Sequence, residues 1–313
     1  MASKSAKKCP TLNIKTLVFL MIMLGLIIAF ATYAILLLIN STREAPTEET
    51  MENDVQVDII PEEEPVKPAP IDFQPTIDAF ASSVGGSKGI IVYDLDLDVI
   101  AGAYNADVKL ATASIYKLFV VYEGYRRIQN GSFNRDDLAG YTGKTILTCL
   151  DLAIRESNSP CAETIWGMIG REELNEIAQI DFYIPSVVVS SLKATPVEIM
   201  QMMKLFYEHT EIIDEDLVST MEDSFLNQPI TTYNWRQGLP TGFSDRVLVY
   251  NKVGWDWNGS YWNIYDDAAI LDFVDEDRHF IAVVMTSGVD HKRIRQFGTD
   301  LETAFYDQYV LKN

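Results

Sequence analysis

Thr112-Ala113-Ser114-Ile115-Tyr116-Lys117-Leu118-Phe119 is the stretch on which the fold turns. Small residues precede the serine. An amphipathic run follows it through Leu118, Phe119, Val121, Tyr122, Tyr125 and Ile128. The spacing predicts a helix over 114–129 with Ser114 at its start, where serine ordinarily serves as a cap. Lys117, one turn on, is the unusual residue. Side chains at i and i+3 share a helix face, so the ammonium is expected over the hydroxyl. The macrodipole is positive at a helix N-terminus and burial penalises charge, and both push the amine toward its neutral form. A neutral amine beside a hydroxyl is a general base beside a nucleophile. A capped helix with a surface lysine explains the tetrad equally well when it stands alone.

Outward from this helix the pattern changes twice. Upstream, Gln74 to Ser83 reads as a short helix, and Gly89 to Asp94 with Val99 to Tyr104 reads as a hairpin. Asp94, Asp96 and Asp98 imitate the start of a calcium loop, but Val99 and Asn105 stand where glycine and glutamate are needed. A polar strand face and turn is therefore expected. Downstream, helices are predicted over 145–156, 160–169, 172–180 and 196–209, the last opening on Thr195-Pro196. Shorter helical pieces are expected between Asp214 and Gln237. Strands return at 246–253, 265–273 and 280–287, and an amphipathic helix closes the chain over 293–310. Strands at both ends with helices between them predict an α/β protein of the α+β kind. Its antiparallel sheet is built from the N- and C-terminal segments, with a helical lobe inserted.

The 313 residues carry 45 acids against 25 bases, a net charge of -20, which argues against nucleic acid and against docking on an anionic membrane surface. Leu17 to Ile39 is apolar and uncharged, long enough to cross a bilayer. Lys4, Lys7, Lys8 and Lys15 precede it, and acids follow. The expected layout is a cytoplasmic tail over 1–16, a transmembrane anchor over 17–39 and an extracytoplasmic remainder. A cleaved signal peptide is the alternative, but its apolar region would be unusually long. Nine acids and no base between Glu44 and Glu64 make 40–72 an extended, proline-rich linker. The folded body is expected over 73–313. Outside the membrane a Cys149–Cys161 bridge is permitted, although buried free cysteines are the favoured expectation. No CxxC or histidine-rich spacing suggests a metal, and no cofactor is implied. His209, His279 and His291 lie far apart, which disfavours a Ser-His-Asp triad.

Three elements occur in order: Ser114-Ile115-Tyr116-Lys117, then Ser157-Asn158-Ser159 between two helices, then Lys252-Val253-Gly254 at the end of an apolar strand. Together they resemble the signature of penicillin-recognising serine enzymes, above all class A β-lactamases: Ser-x-x-Lys, Ser-Asp-Asn and Lys-Thr-Gly. The resemblance covers nearly the whole body. It implies that Ser114 forms an acyl-enzyme and that Lys117 takes its proton. Ser157 would relay a proton to the leaving nitrogen. Lys252 would bind a substrate carboxylate and depress the Lys117 pKa. The backbone N–H groups of Ser114 and Trp255 would form the oxyanion hole. Ser159, Val253 and Gly254 would line the substrate cleft. The dense aromatics after the third motif, Trp255, Trp257, Tyr261 and Trp262, read equally as cleft lining or as a packed strand-and-turn cluster. Substrates implied are β-lactam-like small molecules or cell-wall peptides of the D,D type.

The chain departs from that family at three places. Ser159 replaces an asparagine, and Val253 replaces a hydroxyl residue. Class A β-lactamases also activate the deacylating water with a glutamate four residues before an asparagine. Here Arg171 stands four residues before Asn175, and Tyr183 to Ala194 contains no acid. The expectation is a membrane-anchored serine acyl-enzyme with weak β-lactam turnover. The alternative is a catalytically eroded relative that binds cell-wall peptide or a protein partner.

Overall fold

The computed structural model describes residues 68–228, 237–257 and 263–312. The tail, the expected anchor and nearly all of the linker lie outside the described residues, as do Tyr261 and Trp262. Among the described residues no helix is long and apolar enough to cross a membrane.

Helix α1 (Gln74–Ser83) starts on a proline in its first turn and buries Ile77, Phe80 and Ala81, spaced three and four apart. The hairpin β1 (Ser87–Asp94) and β2 (Val99–Tyr104) follows, then a two-residue strand β3 (Leu110–Ala111). The helical lobe holds α2 (Lys117–Gln129), α3 (Ile146–Arg155), α4 (Ser159–Ile169) and α5 (Arg171–Ile180). Strand β4 (Lys193–Ala194) leads into α6 (Pro196–Glu208), and α7 (Glu215–Leu226) completes the lobe. Strands β5 (Val247–Trp257), β6 (Asn263–Phe273) and β7 (Arg278–Ser287) run into α8 (His291–Lys312).

The main sheet is antiparallel, in the order β2-β1-β7-β6-β5. Strands far apart in sequence, β1 and β7, thus pair at its centre, Ile91 opposite Val283. Strand side chains alternate between faces, so one sheet feeds two cores. Ile91, Ile281 and Val283 pack under the helical lobe with Phe119, Tyr122 and Trp166. Ile90, Val92, Ala282 and Val284 face the other way, onto Ile77 of α1 and Phe297 and Phe305 of α8.

Four features differ from the sequence expectation or complete it. Ser114 does not open an α-helix; it lies in a 3₁₀ turn, Ala113–Tyr116, that precedes α2. Strands β3 and β4 pair with each other, Leu110 opposite Ala194, a contact too short and too distant in sequence to show a periodicity. Cys149 and Cys161 are buried but are not the free thiols of the favoured expectation: packing of α3 on α4 joins them in a disulfide. The Asp94–Asp98 turn holds a cation of another kind. Asp94 Oδ1 accepts the backbone N–H groups of Asp96 and Leu97, while its Oδ2 accepts Arg278 Nη2 at 2.5 Å.

Candidate active site

The 3₁₀ turn explains the meeting of Ser114 and Lys117 better than an α-helix would. At three residues per turn, i and i+3 eclipse rather than sit obliquely. The Lys117 backbone N–H bonds the Ser114 carbonyl, and Lys117 Nζ comes 2.9 Å from Ser114 Oγ. The turn is held from outside. Thr112 N–H donates to Leu192 O at 2.9 Å, beside the β3–β4 pair. Ala113 adopts φ 40°, left-handed backbone that a Cβ resists. On the far side, a Cβ on Gly254 would stand 2.4 Å from Thr112 O, so only glycine lets β5 approach the turn this closely. Gly254 therefore packs the Ser114 turn against the sheet.

Ser157 also adopts left-handed backbone, φ 54°. Strained residues of this kind persist only where surrounding contacts over-determine them. The capping of α4 falls to Asn158, whose Oδ1 accepts Cys161 N–H at 3.0 Å. Ser157 is thereby left to point at the lysines. Lys252 Nζ donates to Ser157 Oγ at 2.9 Å and to Val253 O at 2.8 Å. Lys117 Nζ lies 2.6 Å from Ser157 O, 3.2 Å from Ser157 Oγ and 3.1 Å from Ser159 Oγ. Ser114, Lys117, Ser157, Ser159 and Lys252 thus form one connected cluster. Ser159, the shorter substitute for asparagine, still reaches the lysine amine. Val253 is buried and offers no polar atom beyond its backbone. Trp255 and Trp257 lie in β5 opposite Tyr265 and Asn263.

Both lysines are sealed from solvent, Lys117 at 0% and Lys252 at 1% exposure. Burial is the first cause of their shifts. It brings the Lys117 pKa down to about 8, against an opposing upward pull from Glu163. The Lys252 pKa falls well below the usual lysine range through burial, then through repulsion from Lys117, with Asp267 opposing. The expectation that Lys252 depresses Lys117 is therefore revised. Repulsion between the two is mutual, and Lys252 is the one whose charge is found to yield to it.

The sequence pattern missed the groups around these five residues. Tyr116 Oη donates to Glu163 Oε1 at 2.6 Å, and Arg171 pairs with the other Glu163 oxygen while stacking on Trp166. Glu163 lies four residues after Ser159 on α4, one turn along the same face, and that spacing was its only sequence signal. Beneath Lys252, Asn251 Nδ2 donates to Asp267 Oδ1 at 2.9 Å, and Gln228 Nε2 donates to Asn251 O at 2.7 Å. Asp266, opposite Gly254, is fully buried, and burial holds its carboxyl well above the usual range. The stretch from Tyr183 to Ala194 is pinned away from free movement. Asn175 Nδ2 donates to Ser190 Oγ at 2.9 Å, and Gln179 Nε2 donates to Val187 O at 2.7 Å. The acid-bearing stretch Glu172–Glu176 is helical, part of α5. No group of three or more metal-ligating side chains occurs among the described residues.

Comparison with known proteins bears on the family and the fold. A model described as the beta-lactamase enzyme family matches residues 72–309. A structure titled PBP-A superposes with a TM-score of 0.63 at 16% identity, covering 75% of this chain and 96% of its own. A beta-lactamase from Chitinophaga pinensis gives a TM-score of 0.62 at 12% identity, over 75% of this chain and 98% of its own. A class A beta-lactamase representative from Bacteroides cellulosilyticus gives 0.63 at 12% identity, over 75% and 96%. At these identities the superpositions show the fold alone. No curated protein matches the chain.

Proposed function

The chain belongs to the beta-lactamase enzyme family, a class A-like serine hydrolase family, and on that footing we propose a membrane-anchored, extracytoplasmic acyl-enzyme. Its substrates would be β-lactam or D,D-peptide-type amides. One observation carries the chemistry: a fully buried amine, brought to a pKa of about 8, stands 2.9 Å from a serine hydroxyl. The Ser157 carbonyl 2.6 Å away can only accept, so it claims an N–H of that amine. A neutral Lys117 with N–H bonds directed at Ser157 O and Ser159 Oγ has its lone pair left for Ser114.

In this reading Ser114 Oγ attacks the substrate carbonyl carbon as its proton passes to Lys117 Nζ. The carbonyl oxygen takes up the negative charge, between the N–H groups of Ser114 and Trp255. The C–N bond then breaks, and the Ser157 hydroxyl delivers a proton to the leaving nitrogen while Lys117 restores it. The products of this half-reaction are a seryl ester and a free amine. A substrate carboxylate at Lys252 would supply the counter-charge its site lacks, so binding would reprotonate that lysine. Deacylation is the weak step, because 183–194 carries no acid to activate water. The anchor rests on the apolar stretch 17–39 and its flanking charges.

Exposure of the full-length chain to benzylpenicillin, followed by intact-mass spectrometry, tests this. The expected result is a stoichiometric adduct of the whole lactam, absent in Ser114→Ala and surviving for minutes. Sustained nitrocefin hydrolysis that disappears in Ser114→Ala would overturn slow turnover while keeping the nucleophile. No adduct with penicillin or with a D-alanyl thioester would favour the eroded binder.

A further inference from the structure

We propose that the protein holds a second ligand site, separate from the lysine cluster, that takes a small lipophilic amine. A cavity of about 320 Å³ lies between the end of α6, helix α7 and the face of β5, β6 and β7 that carries the helical lobe. That volume is within the range of small-molecule sites. None of Ser114, Lys117, Ser157, Ser159 and Lys252 lines it. The floor is apolar, made by Phe206, Met221 and Ile270. Tyr207 and Tyr250 add two phenol rings, and among the described residues their hydroxyls have no hydrogen-bond partner.

The charged groups select the sign of the ligand. Glu222 and Asp272 both line the cavity, and both act on the phenol of Tyr250, whose pKa is raised by burial and then by these two carboxylates. The facing histidines do not cancel them. Burial pushes His209 toward the neutral imidazole, against Glu222 3.5 Å away. His279 is held up by Asp96 Oδ1 at 3.0 Å from Nδ1, and its Nε2 lies 3.7 Å from Asp272 Oδ1. Asp96 also pairs with Arg278 Nε at 3.1 Å, which leaves His279 to Asp272, whose own carboxyl is raised by burial; Glu222 is paired only with His209 among the described residues. The cavity has a surplus of negative charge above an apolar floor, and aromatic faces beside it attract cations further. An anion would meet repulsion from these carboxylates and from a chain of net charge -20. The matching ligand has a short apolar or aromatic body and one ammonium, the body on Phe206 and Ile270, the ammonium toward Glu222 and Asp272.

Calorimetric titration of the full-length chain in detergent with 2-phenylethylamine, and with 2-phenylethanol as its uncharged counterpart, decides the matter. The amine is expected to bind, with the alcohol weaker by about tenfold or more. Glu222→Gln and Asp272→Asn are each expected to weaken the amine by about tenfold without changing the thermal unfolding curve. The proposal is overturned if the amine does not bind, if the alcohol binds as tightly, or if neither substitution alters the amine's affinity.

Discussion

Arg278 on β7 and Lys252 on β5 are both buried basic side chains of one sheet, at 3% and 1% exposure, but their surroundings differ in kind. Arg278 Nη2 donates to Asp94 Oδ2 at 2.5 Å, its Nε to Asp96 Oδ2 at 3.1 Å and its Nη1 to Ala69 O at 3.1 Å. The guanidinium fork is filled by two carboxylates and a carbonyl, the arrangement that makes a buried charge tolerable. Lys252 and Lys117 have serine hydroxyls and backbone carbonyls instead, and no carboxylate within salt-bridge distance of either appears among the described residues. Burial with counter-charges leaves the ion in place and ties two strands to the N-terminal segment. Burial without them drives the ammonium toward the amine. The same physical cost thus leaves a structural clamp at one site and amines pushed toward their neutral form at the other.

The largest test of this contrast is Lys117→Met. It removes the amine but keeps an unbranched side chain of similar length. Acylation by penicillin, followed by mass, is expected to fall by about 10²–10⁴-fold, the usual contribution of a positioned general base. Retained acylation would mean that another group takes the Ser114 proton.

Next come two matched substitutions read by denaturant unfolding. Arg278→Met strands Asp94 in the interior and is expected to cost about 3–5 kcal/mol. Lys252→Met strands no carboxylate in a salt bridge and is expected to stay within about 1 kcal/mol of the parent chain, or above it. Equal losses would erase the distinction between a buried charge held by carboxylates and one that burial drives out.

The smallest effect sharpens the electrostatics. Lys117 must be uncharged to accept a proton, and its pKa is lowered to about 8, so acylation should rise with pH and level off above about 8. Glu163 is the one charge found to pull that pKa upward. Glu163→Gln should therefore move the rising limb to lower pH, and a pH–rate profile that moves the other way would refute the assigned sign.

Much of this was legible before any coordinates. The apolar or alternating runs at 89–94, 99–104 and 280–287 became β1, β2 and β7, and Thr195-Pro196 opened a helix with a full capping box. The three short motifs named all five residues that meet in the cluster. What stayed hidden depended on residues distant in sequence. Nothing near Leu110 announces Ala194 as its partner, and nothing near Cys149 separates a buried thiol from a bridged one. Glu163 stands on an ordinary helix face until Tyr116 and Arg171 arrive from two other elements.

The sequence by itself determined the class of fold and the chemical types in the site, because hydrophobic period and the i, i+3 spacing are local properties of the chain. Only the tertiary structure decided which lysine yields its charge, how the serine turn is strained into place, and where a second cavity opens. Those outcomes depend on desolvation and on charges brought together from opposite ends of the chain, and a protonation state is settled by everything that surrounds it.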